Sequence, residues 1–120
     1  MTKRVLVVDD EPDLRQLLRW LLELDDRCGG IAEAEDGPTA VREAEKLAPN
    51  AVILDFMLGD ATAADVLPSL RAACPNARIV VYTAAPERAK AAGVIDAGAD
   101  AVAAKAGSSV DDIIDMALIC

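Results

Sequence analysis

Short apolar runs alternate with helical patterns along the whole of this 120-residue chain. Four consecutive apolar residues predict a buried strand, because a strand that is covered on both faces shows no polar alternation. Such runs occur at Val5–Val8, Ala51–Leu54, Ile79–Tyr82 and Ala101–Ala104, and a weaker strand is expected at Ile31–Ala34. The pattern therefore predicts five strands.

A helical stripe of apolar residues follows each of these strands. Leucines from Leu14 to Leu22 form the first stripe, with Pro12 in its first turn and Gly29–Gly30 as its end. Pro68 is expected to kink the third helix or to displace its start. Further helices are expected from Pro38 to Pro49–Asn50, from about Thr62 to Ala73, from Pro86 to about Ala97, and after an N-cap at Ser108 or Ser109.

Five strand–helix units with no linker, repeat or low-complexity segment predict one α/β domain over residues 1–120. Right-handed crossovers leave few topologies, and the flavodoxin-like fold fits this length. We therefore expect three αβα layers, with a five-stranded parallel sheet of order 2-1-3-4-5 and five helices. The weak second strand would lie at an edge of the sheet.

Composition narrows the function classes. A net charge of -9 argues against nucleic acid or an anionic membrane as a direct partner of the domain. No apolar run approaches the roughly 20 residues of a membrane span, and the N-terminus does not resemble a secretory signal. The chain has three cysteines, Cys28, Cys74 and Cys120, and no histidine. Because the cysteines lack C-x-x-C spacing, we expect a reduced, cytoplasmic protein.

Polar residues follow four of the five strands: Asp9 and Asp10, Asp55, Thr83 and Lys105. In the predicted sheet these strands end at one edge, where ligands of such folds bind. Three carboxylates without histidine or cysteine suit a hard cation such as Mg2+. Asp55 is the best candidate for a nucleophile that accepts a phosphoryl group. Lys105 and the Thr83 hydroxyl can both donate to phosphoryl oxygens.

Four stretches, in order, carry a resemblance to bacterial two-component response-regulator receiver domains, of the chemotaxis-regulator-like superfamily. They are "VLVVDDE" at 5–11, "AVILDFML" at 51–58, "IVVYTA" at 79–84 and "GADAVAAKA" at 98–106. The resemblance covers essentially the whole chain. It implies a signalling domain rather than an enzyme with a separate substrate.

The resemblance assigns a role to each residue of the site. Asp55 would be the phosphoacceptor, phosphorylated by a sensor histidine kinase or a phosphotransfer protein. Thr83 and Lys105 would bind the phosphoryl group. The implied ligands of Mg2+ are Asp9, Asp10, Asp55 and the backbone carbonyl of Met57. An output domain, attached or separate, would receive the signal.

Three departures from the family pattern concern how the signal is transmitted. Ala106 follows the lysine where the family usually has a cis proline, and a non-proline residue prefers the trans bond by roughly 3 kcal/mol. Val102 occupies the position of the usual switch aromatic, and Tyr82 lies on the wrong strand to replace it. The segment "LGDATAA" at 58–64 gives an unusual loop after the acceptor.

Each of these residues also has a plain structural interpretation. A carboxylate of residues 9–11 could cap the first helix, Asp55 and Thr83 could cap later helices, and Lys105 could be a solvated surface residue. These interpretations do not explain why the residues gather at strand ends with complementary charge. For Trp20, packing at the rim of the core is favoured over a docking contact with a kinase.

Other functions remain as alternatives. Val102 and Ala106 motivate a degenerate receiver that acts as a protein-interaction module without phosphorylation. A Mg2+-dependent phosphohydrolase of the haloacid-dehalogenase type is disfavoured, because "DDEPD" does not match its D-x-D motif. A nucleotide-binding domain is disfavoured, because the chain has neither glycine-rich phosphate-binding motif.

Overall fold

The central layer of the molecule is a parallel sheet of five strands. The computed structural model of the chain describes residues 2–107 and 109–119. The strands are β1 (Lys3–Val8), β2 (Cys28–Ala34), β3 (Ala51–Asp55), β4 (Met57–Leu58), β5 (Ala61–Thr62), β6 (Arg78–Thr83) and β7 (Ala101–Ala104). The sheet order is β2-β1-β3-β6-β7, which is the predicted order 2-1-3-4-5, because β4 and β5 form a separate small hairpin.

Helices cover both faces of the sheet, as the fold class requires. They are α1 (Pro12–Glu23), α2 (Gly37–Leu47), α3 (Ala63–Ala73), α4 (Pro86–Ala91), α5 (Val94–Ala97) and α6 (Val110–Leu118). The α1 and α6 helices share one apolar core with the sheet. The other core contains residues of α2, α3, α4 and α5.

The alternation of side chains along each strand divides the apolar residues between these two cores. In β1, Val5 and Val7 face α1 and α6, whereas Leu6 and Val8 face the opposite layer. Burial on both faces explains why polar residues in the central strands β1, β3 and β6 occur only toward the strand ends. The weak β2 pairs only with β1 and lies at an edge, as predicted.

The helices differ from the prediction at three places. The fourth predicted helix is divided into α4 and α5 by Gly93, whose φ of 80° is left-handed, so the described residues form six helical segments rather than five. The first helix ends at Glu23, and Gly29–Gly30 lie inside β2 rather than at the end of the helix. Pro68 lies within α3 and does not displace its start at Ala63.

Several smaller expectations can now be compared with the structure. Trp20 is 58% exposed, so its predicted packing at the rim of the core is wrong. Ser109 caps α6 by accepting a hydrogen bond from the Asp112 amide. Ser108, the alternative cap, and Cys120 lie outside the described residues. Cys28 and Cys74 are free thiols. Among residues 2–107 and 109–119, no helix combines the length and apolarity that a membrane crossing requires.

Candidate metal and phosphoryl site

The predicted acidic residues meet at one edge of the sheet, beyond the carboxyl ends of β1 and β3. These strands pair in register up to Val8 and Leu54. Asp9 therefore lies level with Asp55, the last residue of β3. Asp9, Asp10 and Asp55 each offer a carboxylate oxygen, and the three atoms lie within 4.8 Å of one another.

Asp55 is buried at the centre of this group. The Lys105 ammonium lies 3.5 Å from Asp55 Oδ1, and the Met57 amide donates to the same oxygen at 3.4 Å. Burial raises the pKa of the Asp55 carboxyl from 3.8 to about 6, and the nearby Asp9 carboxylate adds to the rise while Lys105 opposes it. Asp55 is thus held near a cation, in surroundings that disfavour its charge when no metal is bound.

Asp9 is fully buried and has a donor for each of its oxygens. The Glu11 amide donates to Oδ1 at 2.8 Å, and the Tyr82 hydroxyl donates to Oδ2. Glu11 is the N-cap of α1 and makes no side-chain capping bond. The carboxylates of residues 9–11 therefore do not cap this helix. Asp9 points its charge into the cluster with Asp55.

Asp10 is exposed and connects the cluster to the loop after the acceptor. Its Oδ2 accepts a hydrogen bond from the Gly59 amide at 3.0 Å. That loop is an ordered two-stranded hairpin, in which Met57 pairs with Thr62 and Leu58 with Ala61. Gly59 makes the turn possible with a φ of 65°. The unusual segment 58–64 therefore has a defined structure, and Asp10 contacts it directly.

Met57 lies two residues beyond the acceptor, at the start of this hairpin. Its side chain is 46% exposed. The next helix, α3, begins after Thr62, whose amide donates to the Asp65 carboxylate at 2.9 Å. Asp55 is therefore not a helix cap. Coordination of a metal by the Met57 backbone carbonyl stays a prediction.

Thr83 is the last residue of β6 and Lys105 directly follows β7, so both reach this edge of the sheet. Thr83 is buried, and its hydroxyl oxygen accepts from the Ala85 amide at 3.0 Å, which leaves the hydroxyl hydrogen to donate. Ala85, not Thr83, is the N-cap of α4. Lys105 contacts Asp55, as described above, and its ammonium lies 4.8 Å from the ring centroid of Tyr82. It is not a free surface lysine.

Tyr82 is the residue of the site that the sequence interpretation missed. It is fully buried, pairs in register with Asp55 on one side and with Ala103 on the other, and contacts both Asp9 and Lys105. Burial and then the Asp9 carboxylate raise the pKa of its hydroxyl, which stays a hydrogen-bond donor. The sequence alone gave no signal for this role, because it follows from the register in which Tyr82 pairs with the acceptor.

Two departures from the family pattern are visible beside the site. Val102 is partly buried against the core that contains α3 and α4. Within residues 2–107 and 109–119 every peptide bond is trans, including the bond between Lys105 and Ala106. The trans bond expected from alanine is confirmed, and Lys105 still reaches Asp55.

The donor set fits a hard divalent cation. It consists of the carboxylate oxygens of three aspartates, and hard oxygen ligands of this kind are those that Mg2+ prefers. Asp9 and Asp55 are buried, whereas Asp10 faces solvent. An ion that enters from solvent can thus reach two buried charges, and the carboxylates can act with it on a phosphoryl group.

Comparisons with known proteins agree with this geometry. Residues 5–117 match the family described as response regulator receiver domain. The chain is 36% identical over 97 residues to the nitrate/nitrite response regulator protein NarP of Escherichia coli, covering 81% of this chain and 45% of NarP. It is 32% identical over 101 residues to the chemotaxis protein CheY of Thermotoga maritima, covering 82% of each chain.

Solved structures show the same fold. A LuxR-family two-component response regulator from Aurantimonas superposes with a TM-score of 0.83 at 28% identity, covering 96% of this chain and 81% of that one. A Burkholderia pseudomallei response regulator with a phosphorylated aspartic acid and a calcium ion gives a TM-score of 0.84 at 26% identity, covering 96% and 66%. The chain spans about half the length of the first curated relatives it matches, at 47% and 45%.

The raised pKa of Asp55 predicts a pH-dependent effect of Asp55→Asn on stability without metal. The folded protein holds a proton on Asp55 more tightly than the unfolded chain does, so stability falls through this group as the pH rises from about 4 to about 6. Asparagine does not ionise, so the Asp55→Asn variant does not lose stability through this group. Above pH 6 the variant should be more stable by about 1 to 2 kcal/mol, allowing for solvent screening.

Urea unfolding in a chelator at several pH values measures the difference. Asp60→Asn, which removes an exposed charge from the hairpin turn, controls for the change in net charge. If wild type and Asp55→Asn show parallel stability curves between pH 4 and pH 7, the described environment of Asp55 is wrong.

Proposed function

Because this chain belongs to the response regulator receiver domain family, we propose that it accepts a phosphoryl group on Asp55 and signals through the phosphorylated state. Receiver domains are the signalling domains of two-component pathways. The observation that carries the proposal is the position of the Asp55 carboxylate, between the Lys105 ammonium and the carboxylates of Asp9 and Asp10. We take residues 1–120 as one receiver domain, of which residues 5–117 match the family.

The proposed roles follow from charge. Two carboxylates about 4 Å apart repel by roughly 4 kcal/mol at an effective dielectric near 20, and a cation removes that repulsion. We assign Mg2+ binding to Asp9, Asp10, Asp55 and the Met57 backbone carbonyl. When bound, the ion neutralises phosphoryl charge. Asp55 Oδ attacks the phosphorus of the donor, and the leaving group departs with the electrons of its bond to phosphorus.

Lys105 and Thr83 are assigned to the phosphoryl oxygens. The Lys105 ammonium already lies beside Asp55 Oδ1, so it can exchange its contact with the carboxylate for a contact with an oxygen of the phosphoryl group. The Thr83 hydroxyl hydrogen is free to donate, because its oxygen accepts from Ala85. Both contacts strengthen as negative charge accumulates on the phosphoryl group.

The proposed partner is a sensor histidine kinase or a phosphotransfer protein, which supplies the phosphoryl group. Relatives such as the Mycobacterium tuberculosis transcriptional regulatory protein KdpE are longer, and the match covers 41% of that protein. We propose that an output domain, attached or separate, receives the signal here too. The match to a Geobacter sulfurreducens protein-glutamate methylesterase covers 27% of it, and we propose a signalling rather than an enzymatic role for this domain.

Three further expectations from the sequence stay predictions: no direct binding of nucleic acid, no membrane contact, and a cytoplasmic location. The competing function is a degenerate receiver that binds partners without phosphorylation. Val102 favours it, because this partly buried position lacks the aromatic side chain expected of a standard switch. Phosphoryl uptake distinguishes the two functions.

Incubation with Mg2+ and a small-molecule phosphodonor should add one phosphoryl group to the protein. Intact-mass spectrometry measures the gain. We expect it in wild type and in Asp60→Asn, and we expect none in Asp55→Asn or with excess chelator. An unmodified wild type, or equal modification of Asp55→Asn, would sink the proposal and favour the interaction module.

Met57→Asn should accelerate loss of the phosphoryl group several-fold. The apolar Met57 side chain lies half-exposed beside the acceptor and hinders the approach of water, whereas an amide can orient a water molecule. The decay of phosphorylated protein after removal of the donor measures the rate. Ile95→Asn is the matched control, because it also replaces a half-exposed apolar residue, 49% exposed, on α5. An unchanged or slower decay for Met57→Asn counts against this role.

A further inference from the structure

Tyr82 lies between the acidic cluster and Lys105, and the proposed phosphoryl transfer gives it no role. Its backbone lies in the sheet between β3 and β7, and its side chain has no exposed surface and belongs to the core shared with α1 and α6. Its hydroxyl donates to Asp9 Oδ2, and its ring faces the Lys105 ammonium at 4.8 Å. A single neutral side chain thus contacts both a carboxylate of the cluster and the lysine.

The contact with Asp9 has particular weight because Asp9 is fully buried. Beyond the Tyr82 hydroxyl, the side chain accepts one hydrogen bond from the part of the chain that the structure describes, donated by the Glu11 amide at 2.8 Å. The carboxylates of Asp10 and Asp55 lie close to it and repel it, and the Arg15 guanidinium donates to the backbone carbonyl of Asp9 at 2.6 Å rather than to its carboxylate. A buried carboxylate in such surroundings depends strongly on each donor that it has.

We propose that the Tyr82 hydroxyl partly replaces the divalent cation when the site is metal-free, and that it thereby lowers the affinity of the site for Mg2+. The inference rests on the proposed metal site and concerns its regulation. A hydrogen bond to a full negative charge is stronger than one to a charge that a cation already neutralises. The Tyr82 bond therefore stabilises the metal-free state more than the bound state.

Linkage converts this difference into an effect on affinity. Any interaction that favours the metal-free protein over the metal-bound protein weakens metal binding by the same free energy. Tyr82 would thus keep the acidic cluster folded without metal, and would set the Mg2+ concentration at which the site becomes competent. A test of this role must keep the aromatic ring, because the ring contacts the Lys105 ammonium. The informative substitution therefore removes only the hydroxyl.

Tyr82→Phe is that change. Titration calorimetry with magnesium chloride at pH 8 should give a dissociation constant about 3 to 10 times lower than that of wild type. Without metal, the melting temperature should fall by about 5 °C or more, and saturating Mg2+ should recover much of the difference. Unchanged or weaker Mg2+ binding, or an equal loss of melting temperature with and without Mg2+, would overturn the inference.

Two controls separate this role from ordinary packing. Val80→Ala shortens a buried side chain on the same strand and the same face, so it should lower the melting temperature equally with and without Mg2+. In an Asp9→Asn background, where the charge is absent, Tyr82→Phe should cost clearly less stability than in wild type. A loss of the same size in that background would mean that the hydroxyl does not act through the charge of Asp9.

The calorimetry also separates this inference from the proposed function. If wild type binds no Mg2+, the metal site itself is refuted. If wild type binds Mg2+ and Tyr82→Phe does not bind it more tightly, only the role of Tyr82 falls.

Discussion

Repulsion among three carboxylates at one edge of the sheet is the constraint on which the rest of the site depends. Asp9 and Asp55 are buried side by side, and Asp10 closes the group from the solvent side. Without metal, the charge is balanced by the Lys105 ammonium, by backbone amides and by the Tyr82 hydroxyl. These partners do not fully compensate, since burial and, after it, the Asp9 carboxylate keep the pKa of Asp55 raised. A strained but folded cluster of this kind is suited to bind a divalent cation and then a phosphoryl group.

The fold creates this constraint through strand adjacency. Because β1 and β3 are parallel neighbours, residues about 45 positions apart in the chain reach the same level of the sheet. The hairpin at Met57–Thr62 extends the arrangement, since the Gly59 amide contacts Asp10. The loop that leads into α3 is therefore in direct hydrogen-bond contact with the acidic cluster. Val102 takes no part in this contact.

Much of the fold and of the site was predictable, and the failures have physical causes. Central strands are buried on both faces, so their apolar runs predicted the strands, and the polar residues that follow these runs predicted the site. The break at Gly93 depends on a left-handed backbone conformation that helical periodicity does not reveal. Trp20 was expected at the rim of the core because it falls at the edge of the leucine stripe, but this edge of α1 leaves it 58% exposed. Tyr82 was counted as core, and its contacts with Asp9 and Lys105 become visible only when sheet register is known.

The central claim is that Asp9, Asp10 and Asp55 form a single site for a cation and a phosphoryl group. A crystal structure of the protein with Mg2+ and beryllofluoride, a phosphoryl mimic, tests it most directly. The account predicts one Mg2+ at the cluster, with ligand oxygens at about 2.0–2.1 Å, and beryllium on an Asp55 oxygen with fluorines beside Lys105 and Thr83. Beryllofluoride at another carboxylate, or a saturated crystal with no ion at the cluster, would contradict it.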